Sequence, residues 1–269
     1  MNRLTEKLLA LKNTGRKALV TYLTAGYPNT VETEKLALLF EKNGADVLEI
    51  GIPFSDPIAD GKSVQYASQM SLKNGMNLKR VFKIVSDIRK KSDIPIVLMG
   101  YLNPFMRNGL KNSLLNVKKC GADGLIIPDI IPEESGDIRQ ICSELGLSLI
   151  YLAAPNTPEK RLGLIDKASD GFVYIVSIAG VTGARKTLPS NTINYLKRTQ
   201  KEMRKNSRII GFGISGAKQI KYLKKYVDGF IVASALIEII RNSKDLEKAR
   251  LALSGFIRSL RKELDCQKG

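Results

Sequence analysis

Acidic side chains are the main candidates for chemistry in this sequence, because the chain contains no histidine. Without histidine there is no Ser-His or Cys-His nucleophile pair, and the commonest zinc ligand is missing. General acid–base chemistry must therefore come from Asp, Glu, Lys, Tyr or Cys. Glu49 lies inside an apolar run, and two further carboxylates, Asp56 and Asp60, follow it within eleven residues.

Glu49 is predicted to point into the interior of the fold. Side chains alternate along a strand, so Leu48, Ile50 and Ile52 share one aliphatic face. Glu49 then shares the opposite face with Gly51. Burial raises the pKa of a carboxyl group, by up to about 3–5 units when it is complete, which suits a proton-transferring group. A structural glutamate satisfied by hydrogen bonds is the alternative interpretation.

The loop after this strand brings Asp56 and Asp60 to the same end of the predicted sheet. Aspartate is also a common turn residue, so Asp60 followed by Gly61 is equally compatible with a simple turn. On their own, these two carboxylates are weak indicators of a site.

Eight short apolar runs recur along the chain, and each is followed by a longer, more polar segment. Apolar strands alternating with helices indicate a parallel sheet covered by helices, and eight such units in 269 residues favour a closed barrel. The predicted strands are 18–26, 46–54, 95–104, 124–130, 148–155, 172–180, 208–215 and 229–237.

Helical segments complete an α/β (β/α)8 TIM barrel with an extra N-terminal helix. No linker rich in Pro, Gly or Ser divides the chain, so residues 1–269 are predicted to form a single barrel domain. In such barrels the carboxyl ends of the strands carry the chemistry. The predicted helices are 4–11, 33–42, 78–91, 133–145, 158–168, 192–205, 217–226 and 245–264.

Small residues lie in or directly after the carboxyl-terminal parts of the last three predicted strands. They are residues 180–183 (GVTG), 211–213 (GFG) and the pair Ala233 and Ser234. Backbone amides in the last loops of a barrel commonly bind phosphate, and glycine permits close backbone approach. Any one of these glycines alone is compatible with an ordinary turn.

The charge balance raises a different class of function. The chain has 43 Lys and Arg against 26 Asp and Glu, a net charge of +17. A nucleic-acid-binding protein is one alternative, but the basic residues form no long run and aromatic content is only 6%. Three cysteines without C-x-x-C spacing, a charged N-terminus and no long apolar stretch predict a cytoplasmic protein that binds neither nucleic acid nor membrane.

Residues 48–61 (LEIGIPFSDPIADG) closely resemble the signature of the tryptophan synthase alpha chain family. The resemblance extends along essentially the whole chain in the family's order. It includes residues 22–28 (YLTAGYP), 101–104 (YLNP), 128–129 (PD), 133–134 (EE), 177–184 (SIAGVTGA) and 211–215 (GFGIS).

This resemblance implies a lyase that cleaves indole-3-glycerol phosphate to indole and D-glyceraldehyde 3-phosphate by a retro-aldol step. Glu49 matches the family's acid/base glutamate, and Asp60 matches the carboxylate that accepts the indole N–H. The substrate-binding residues implied by the match are Tyr22, Tyr101, Tyr174, Thr182, Gly183, Phe212, Gly213, Ile231, Ala233 and Ser234.

The family also implies a partner. An α2β2 heterotetramer with the tryptophan synthase beta chain is expected, with pyridoxal phosphate on the beta chain and no cofactor or metal on this one. Pro53 and Asp56 match the loop that contacts the beta chain.

Three parts of the sequence depart from the family pattern. Residues 129–132 (DIIP) lack the earlier proline that is usual in that loop, which faces the partner subunit in the family. Ala233 stands where glycine is usual, and its amide remains available only if alanine tolerates the local φ. Lys62 stands where proline is usual. Two alternative functions remain: a catalytically weak alpha chain that mainly activates its partner, and a Schiff-base aldolase, for which Lys62 is the nearest lysine.

Overall fold

Short parallel strands form the centre of the structure. The computed structural model describes residues 1–107, 109–176, 190–211 and 213–266. Its strand segments are β1 (Ala18–Thr24), β2 (Val47–Gly51), β3 (Ile96–Met99), β4 (Gly124–Ile126), β5 (Ser148–Ile150), β6 (Leu152–Ala153), β7 (Phe172–Val176), β8 (Ser207–Gly211) and β9 (Gly229–Val232).

The strands follow one another around the sheet in the order β5-β4-β3-β2-β1-β9-β8-β7-β6, and every paired neighbour is parallel. Every residue of β1, β2, β3 and β9 is buried. Such strands are rich in Val, Ile and Leu because one face packs on the helices while the other fills the interior. The predicted parallel barrel is confirmed.

The prediction of one continuous strand over 148–155 is wrong in detail. The strand is divided at Tyr151, and the Tyr151 amide donates to the Ser169 hydroxyl at 3.3 Å. On one side β5 pairs with β4, and on the other β6 pairs with β7. The Tyr174 amide donates to the Tyr151 carbonyl at 3.0 Å, so this divided strand completes the ring.

Helices surround the strands. They are α1 (Arg3–Asn13), α2 (Thr30–Lys42), α3 (Lys62–Lys73), α4 (Leu78–Arg89), α5 (Leu102–Met106), α6 (Leu110–Lys119), α7 (Gly136–Leu145), α8 (Glu159–Ala168), α9 (Ser190–Glu202), α10 (Ala217–Leu223), α11 (Ser234–Asn242) and α12 (Leu246–Asp265). A short 3₁₀ helix (Pro132–Glu134) precedes α7.

The structure corrects the last predicted strand, 229–237. β9 ends at Val232, and α11 begins two residues later. Leu236 and Ile237 belong to the buried face of α11, and periodicity does not separate a short apolar run from a buried helix segment. Helices α3, α5, α6 and α11 were not predicted.

The N-terminal end of the barrel is fixed by structural contacts. The extra helix α1 buries Leu4, Leu8 and Leu11 there, as the sequence predicted. Asp46 accepts hydrogen bonds from the Leu19 amide at 2.9 Å and from Arg261 of α12 at 2.8 Å. The loops that follow the strands lie at the opposite end of the barrel, at the carboxyl ends of the strands. Within the described ranges, no helix has the length and apolar character needed to cross a bilayer.

Candidate active site

Strand β2 carries a buried carboxyl group toward the barrel interior. Glu49 is 1% exposed and lies opposite Tyr22 of β1 in the strand register. It shares its strand face with Gly51, above which the Tyr22 hydroxyl is placed. The aliphatic neighbours Leu48 and Ile50 are fully buried on the other face.

Glu49 has an environment that favours its neutral form. Its Oε2 atom is buried and receives no hydrogen bond from the described residues. Burial, and then repulsion by Asp60, raise the pKa of Glu49 to about 8. At neutral pH the group therefore holds a proton that it can deliver.

Asp60 reaches the same end of the barrel from the β2 loop, which we define as residues 52–61. Its side chain is half-buried. Burial raises the pKa of Asp60 to about 6, and hydrogen bonding with the Tyr101 hydroxyl opposes that rise. The two carboxyl groups thus titrate at different pH values, which allows one to remain protonated while the other is ionised.

Contacts with Tyr101 hold the β2 loop. The Ala59 amide donates to the Tyr101 hydroxyl oxygen at 2.9 Å. The Phe54 ring stacks on the Tyr101 ring, with centroids 5.1 Å apart and planes 28° apart. Gln65 of α3 donates to the Asp60 carbonyl at 2.8 Å. The carboxyl group of Asp60 is thereby positioned from two sides.

Two glycines make room for two buried tyrosines. A Cβ atom on Gly51 would overlap the Tyr22 hydroxyl, and one on Gly211 would overlap the Tyr174 hydroxyl. Both tyrosines are 4% exposed. The sequence analysis placed Gly211 in a phosphate-binding loop. The structure shows a steric reason for a glycine at this position, because Gly211 accommodates the Tyr174 ring.

The loops after β8 and β9 carry three of the residues that the sequence predicts to bind phosphate, Gly213, Ala233 and Ser234. Gly213 has a φ of +80°, a conformation that favours glycine. Ala233 precedes α11 with a φ of −124°, which lies outside the left-handed region that favours glycine. Ser234 is the first residue of α11, and helix N-termini offer free amides. Ile231 of β9 is buried.

The remaining predicted site residues fall into two groups. Thr182, Gly183 and Phe212 lie outside the described residues. In the β2 loop, Pro53 is buried and Asp56 is exposed, where it accepts a hydrogen bond from the Ser55 hydroxyl at 2.5 Å.

Comparison with known proteins assigns the family. The family model described as tryptophan synthase alpha chain matches residues 8–264. The chain belongs to the tryptophan synthase alpha chain family. The alpha chain of a Thermoanaerobacter species is 42% identical over 264 residues, which covers 98% of this chain and 100% of that relative. The alpha chain of Thermococcus kodakarensis is 42% identical over 248 residues, which covers 90% of this chain and 98% of that one.

Solved structures of the family share the fold. The alpha subunit from Legionella pneumophila superposes with a TM-score of 0.90 at 35% identity, covering 98% of this chain and 99% of that one. A chain from the Pyrococcus furiosus tryptophan synthase α2β2 complex superposes with a TM-score of 0.84 at 39% identity, covering 91% and 98%.

Sequence reasoning missed three residues that shape this alpha-chain site. Thr24, Phe54 and Gln65 contact Tyr22, Tyr101 and the Asp60 backbone respectively. Thr24 lies inside the stretch 22–28 that resembles the family, but its contact with Tyr22 was not predicted, and no local pattern marks Gln65. Phe54 was visible as an aromatic residue inside the signature, but its stacking partner lies 47 residues away.

Proposed function

We propose that this chain cleaves indole-3-glycerol phosphate to indole and D-glyceraldehyde 3-phosphate, as the alpha subunit of tryptophan synthase. The observation that carries the proposal is the pair of carboxyl groups, Glu49 and Asp60, whose pKa values are raised to about 8 and about 6 at the carboxyl end of the barrel. Membership of the family supports the reaction.

Glu49 delivers its proton to C3 of the indole ring, which makes the ring a neutral leaving group when the C–C bond breaks. Asp60, as the carboxylate, accepts a hydrogen bond from the indole N–H and stabilises the positive charge that C3 protonation creates. The Glu49 carboxylate then takes the proton of the side-chain hydroxyl as the C–C electrons return to the ring and the aldehyde forms. Glu49 ends the cycle protonated, so no net proton is consumed.

Backbone amides hold the phosphate in this proposal. Gly213, Ala233 and Ser234 supply them, together with Thr182 and Gly183. Support comes from the N-terminal end of α11, which is nine residues long, and from the positive φ of Gly213. The indole and glycerol portions lie among Tyr22, Tyr101, Tyr174, Phe212 and Ile231.

We propose a partner surface at the same end of the barrel. Pro53 and Asp56 belong to it and face a beta chain that carries pyridoxal phosphate, while this chain has no cofactor or metal of its own. Three large apolar side chains support this surface: Ile58, Met106 and Ile131 are 86%, 52% and 40% exposed. They follow the successive strands β2, β3 and β4, which are neighbours in the sheet.

The same assignment extends to assembly and location. An α2β2 heterotetramer in the cytoplasm is proposed, with residues 1–269 forming one barrel domain. The Pyrococcus furiosus relative is described as an α2β2 complex whose subunits activate each other, which supports the assembly.

Indole release from indole-3-glycerol phosphate, measured with and without a beta chain, tests the function. Release by this chain alone, increased by the beta chain, is expected. No release under either condition would refute the lyase assignment. Activation of the beta chain without indole release would favour the weak-activator alternative. Covalent trapping by borohydride would favour a Schiff-base aldolase, although Lys62 is exposed to solvent.

The partner surface has a separate test. Asp56→Ala is expected to reduce activation by the beta chain more than it reduces the basal rate. Asp93→Ala is the matched control, because Asp93 is 93% exposed and precedes β3 at the opposite end of the barrel. Equal proportional losses in basal and stimulated rates for Asp56→Ala would show that Asp56 serves the active site itself.

A further inference from the structure

The hydroxyl group of Tyr22 is a buried polar group inside the candidate active site that the reaction outlined above does not use. Tyr22 is 4% exposed and pairs with Glu49 in the register of β1 and β2. Its hydroxyl oxygen occupies the space that a side chain at Gly51 would fill. Because Gly51 and Glu49 share one strand face, this hydroxyl lies on the side of β2 that carries the Glu49 carboxyl group.

Thr24 fixes how the Tyr22 hydroxyl can be used. The Thr24 hydroxyl donates to the Tyr22 hydroxyl oxygen over 3.3 Å. The Tyr22 oxygen is therefore an acceptor in this contact, and its own hydrogen remains available. Among the described residues, no acceptor is assigned to that hydrogen. Thr24 is itself 1% exposed, so water does not compete freely for this contact.

Glu49 needs a donor at one stage of the reaction. While protonated, the buried Glu49 tolerates an Oε2 atom that has no partner among the described residues. Once its proton has passed to the substrate, Glu49 is a carboxylate in a buried site, and an unpartnered buried charge is costly. A hydrogen bond donated to the charged form stabilises that form.

We propose that the Tyr22 hydroxyl, oriented by Thr24, donates a hydrogen bond to the Glu49 carboxylate as that carboxylate forms. This inference rests on the proposed function. Tyr22 acts as a positioning residue, because it shares its hydrogen with Glu49 and transfers none. Burial, with Asp60, Glu49 and Tyr101 nearby, raises the pKa of Tyr22, so its proton stays on the phenol. The Tyr174 hydroxyl is the remaining titratable group close to Tyr22.

Steady-state kinetics of Tyr22→Phe test the proposal. The phenyl ring keeps the ring carbons that pack over Gly51 and removes the hydroxyl group, which is the proposed donor to Glu49 and also the acceptor for Thr24. Hydrogen bonds to charged groups are worth more than neutral ones, so kcat is expected to fall about 10- to 100-fold, while KM changes less than about twofold. Without its donor Glu49 is a weaker acid, so its pKa rises and the alkaline limb of the kcat profile moves to higher pH.

Two further variants make the test specific. Thr24→Val keeps the phenol but removes the donor that orients it. Its kcat is expected to fall by less than about tenfold, a smaller effect than that of Tyr22→Phe. Thr21→Val is the matched control on the same strand, because the buried Thr21 hydroxyl has no hydrogen-bond partner among the described residues. Its kcat and pH profile are expected to match those of the wild type.

The outcomes separate the two levels of inference. If the wild type releases no indole, the proposed function fails. If the wild type is active but Tyr22→Phe keeps its kcat and its alkaline limb, only the Tyr22 inference fails. A lower kcat with an unmoved alkaline limb also overturns it, because the residue would then be merely structural. If Tyr22→Phe does not fold, Thr24→Val decides by the same two readouts.

Discussion

Replacing Glu49 with glutamine is expected to change activity and stability in opposite directions. The substitution keeps the size of the side chain but removes its proton, so cleavage should fall on the order of 10²–10⁴-fold or more. Burial raises the pKa of Glu49 from its ordinary value of 4.5 to about 8. The unfolded chain therefore releases this proton near pH 4.5, whereas the folded protein keeps it until about pH 8.

The sign of the stability effect follows from that difference in bound protons. Between these two pH values the folded wild type binds more protons than the unfolded chain, so its free energy of unfolding falls as the pH rises. At about 1.4 kcal/mol per pKa unit, the shift sets an upper limit on the order of 5 kcal/mol. Glu49→Gln lacks this loss, so its stability relative to the wild type should rise steadily from pH 4.5 to pH 8.

Urea titrations at several pH values between 4.5 and 8.5 measure this difference, and indole release measures activity on the same samples. Glu6→Gln is the control, because Glu6 is an exposed residue of α1 at the other end of the barrel. If the stability curves of the wild type and Glu49→Gln remain parallel, Glu49 is ionised in the folded protein and the electrostatic reasoning is wrong. Near-normal turnover in a folded Glu49→Gln variant would reject the acid/base role.

Three other substitutions have defined outcomes. Asp60→Asn should lower kcat more than it changes KM, and should move the alkaline limb of the kcat profile to lower pH, because the Asp60 charge helps to raise the pKa of Glu49; an effect confined to KM would contradict this. Ala233→Gly should leave glycerol phosphate affinity within about threefold by calorimetry, since alanine already has a φ of −124°; a larger change in either direction would show that the alanine affects the site. Gly51→Ala should reduce thermal stability by about 1–3 kcal/mol through overlap with the tyrosine above it. Gly255→Ala is the control and should not reduce stability, because a methyl group added there meets nothing within 4 Å. Equal losses of stability in the two variants would refute the steric explanation.

The barrel, and the carboxyl end of its strands as the place of the candidate site, could be predicted from the sequence because they depend on local periodicity. Alternation along β2 set Glu49 apart from Leu48 and Ile50, and the repeated strand and helix pattern predicted parallel strands whose carboxyl ends meet. Boundaries were less secure. The apolar residues of α11 continued the run of β9, because burial on a helix and burial on a strand select the same residue types.

The signature residues 48–61 pointed to the family and its reaction and placed Glu49 on a strand and Asp60 in a loop, but they did not determine how far the pKa values of Glu49 and Asp60 differ. That difference depends on tertiary structure. Burial by other strands acts on Glu49, while Tyr101 of the loop after β3 opposes the same effect on Asp60. A pKa depends on the dielectric surroundings and on neighbouring charges, and those neighbours come from distant parts of the chain.

The contacts that shape the site were also decided only by the fold. Tyr22 and Gly51 are 29 positions apart in the sequence, yet the parallel register of β1 and β2 brings one hydroxyl into the space that the other residue leaves open. That residue 51 is a glycine does not by itself show which aromatic ring it accommodates. Sequence alone thus determined the strand faces, the composition of the site and the absence of histidine chemistry. Tertiary structure decided which buried groups meet, because hydrogen bonding and electrostatic repulsion act over a few ångströms of space whatever the separation along the chain.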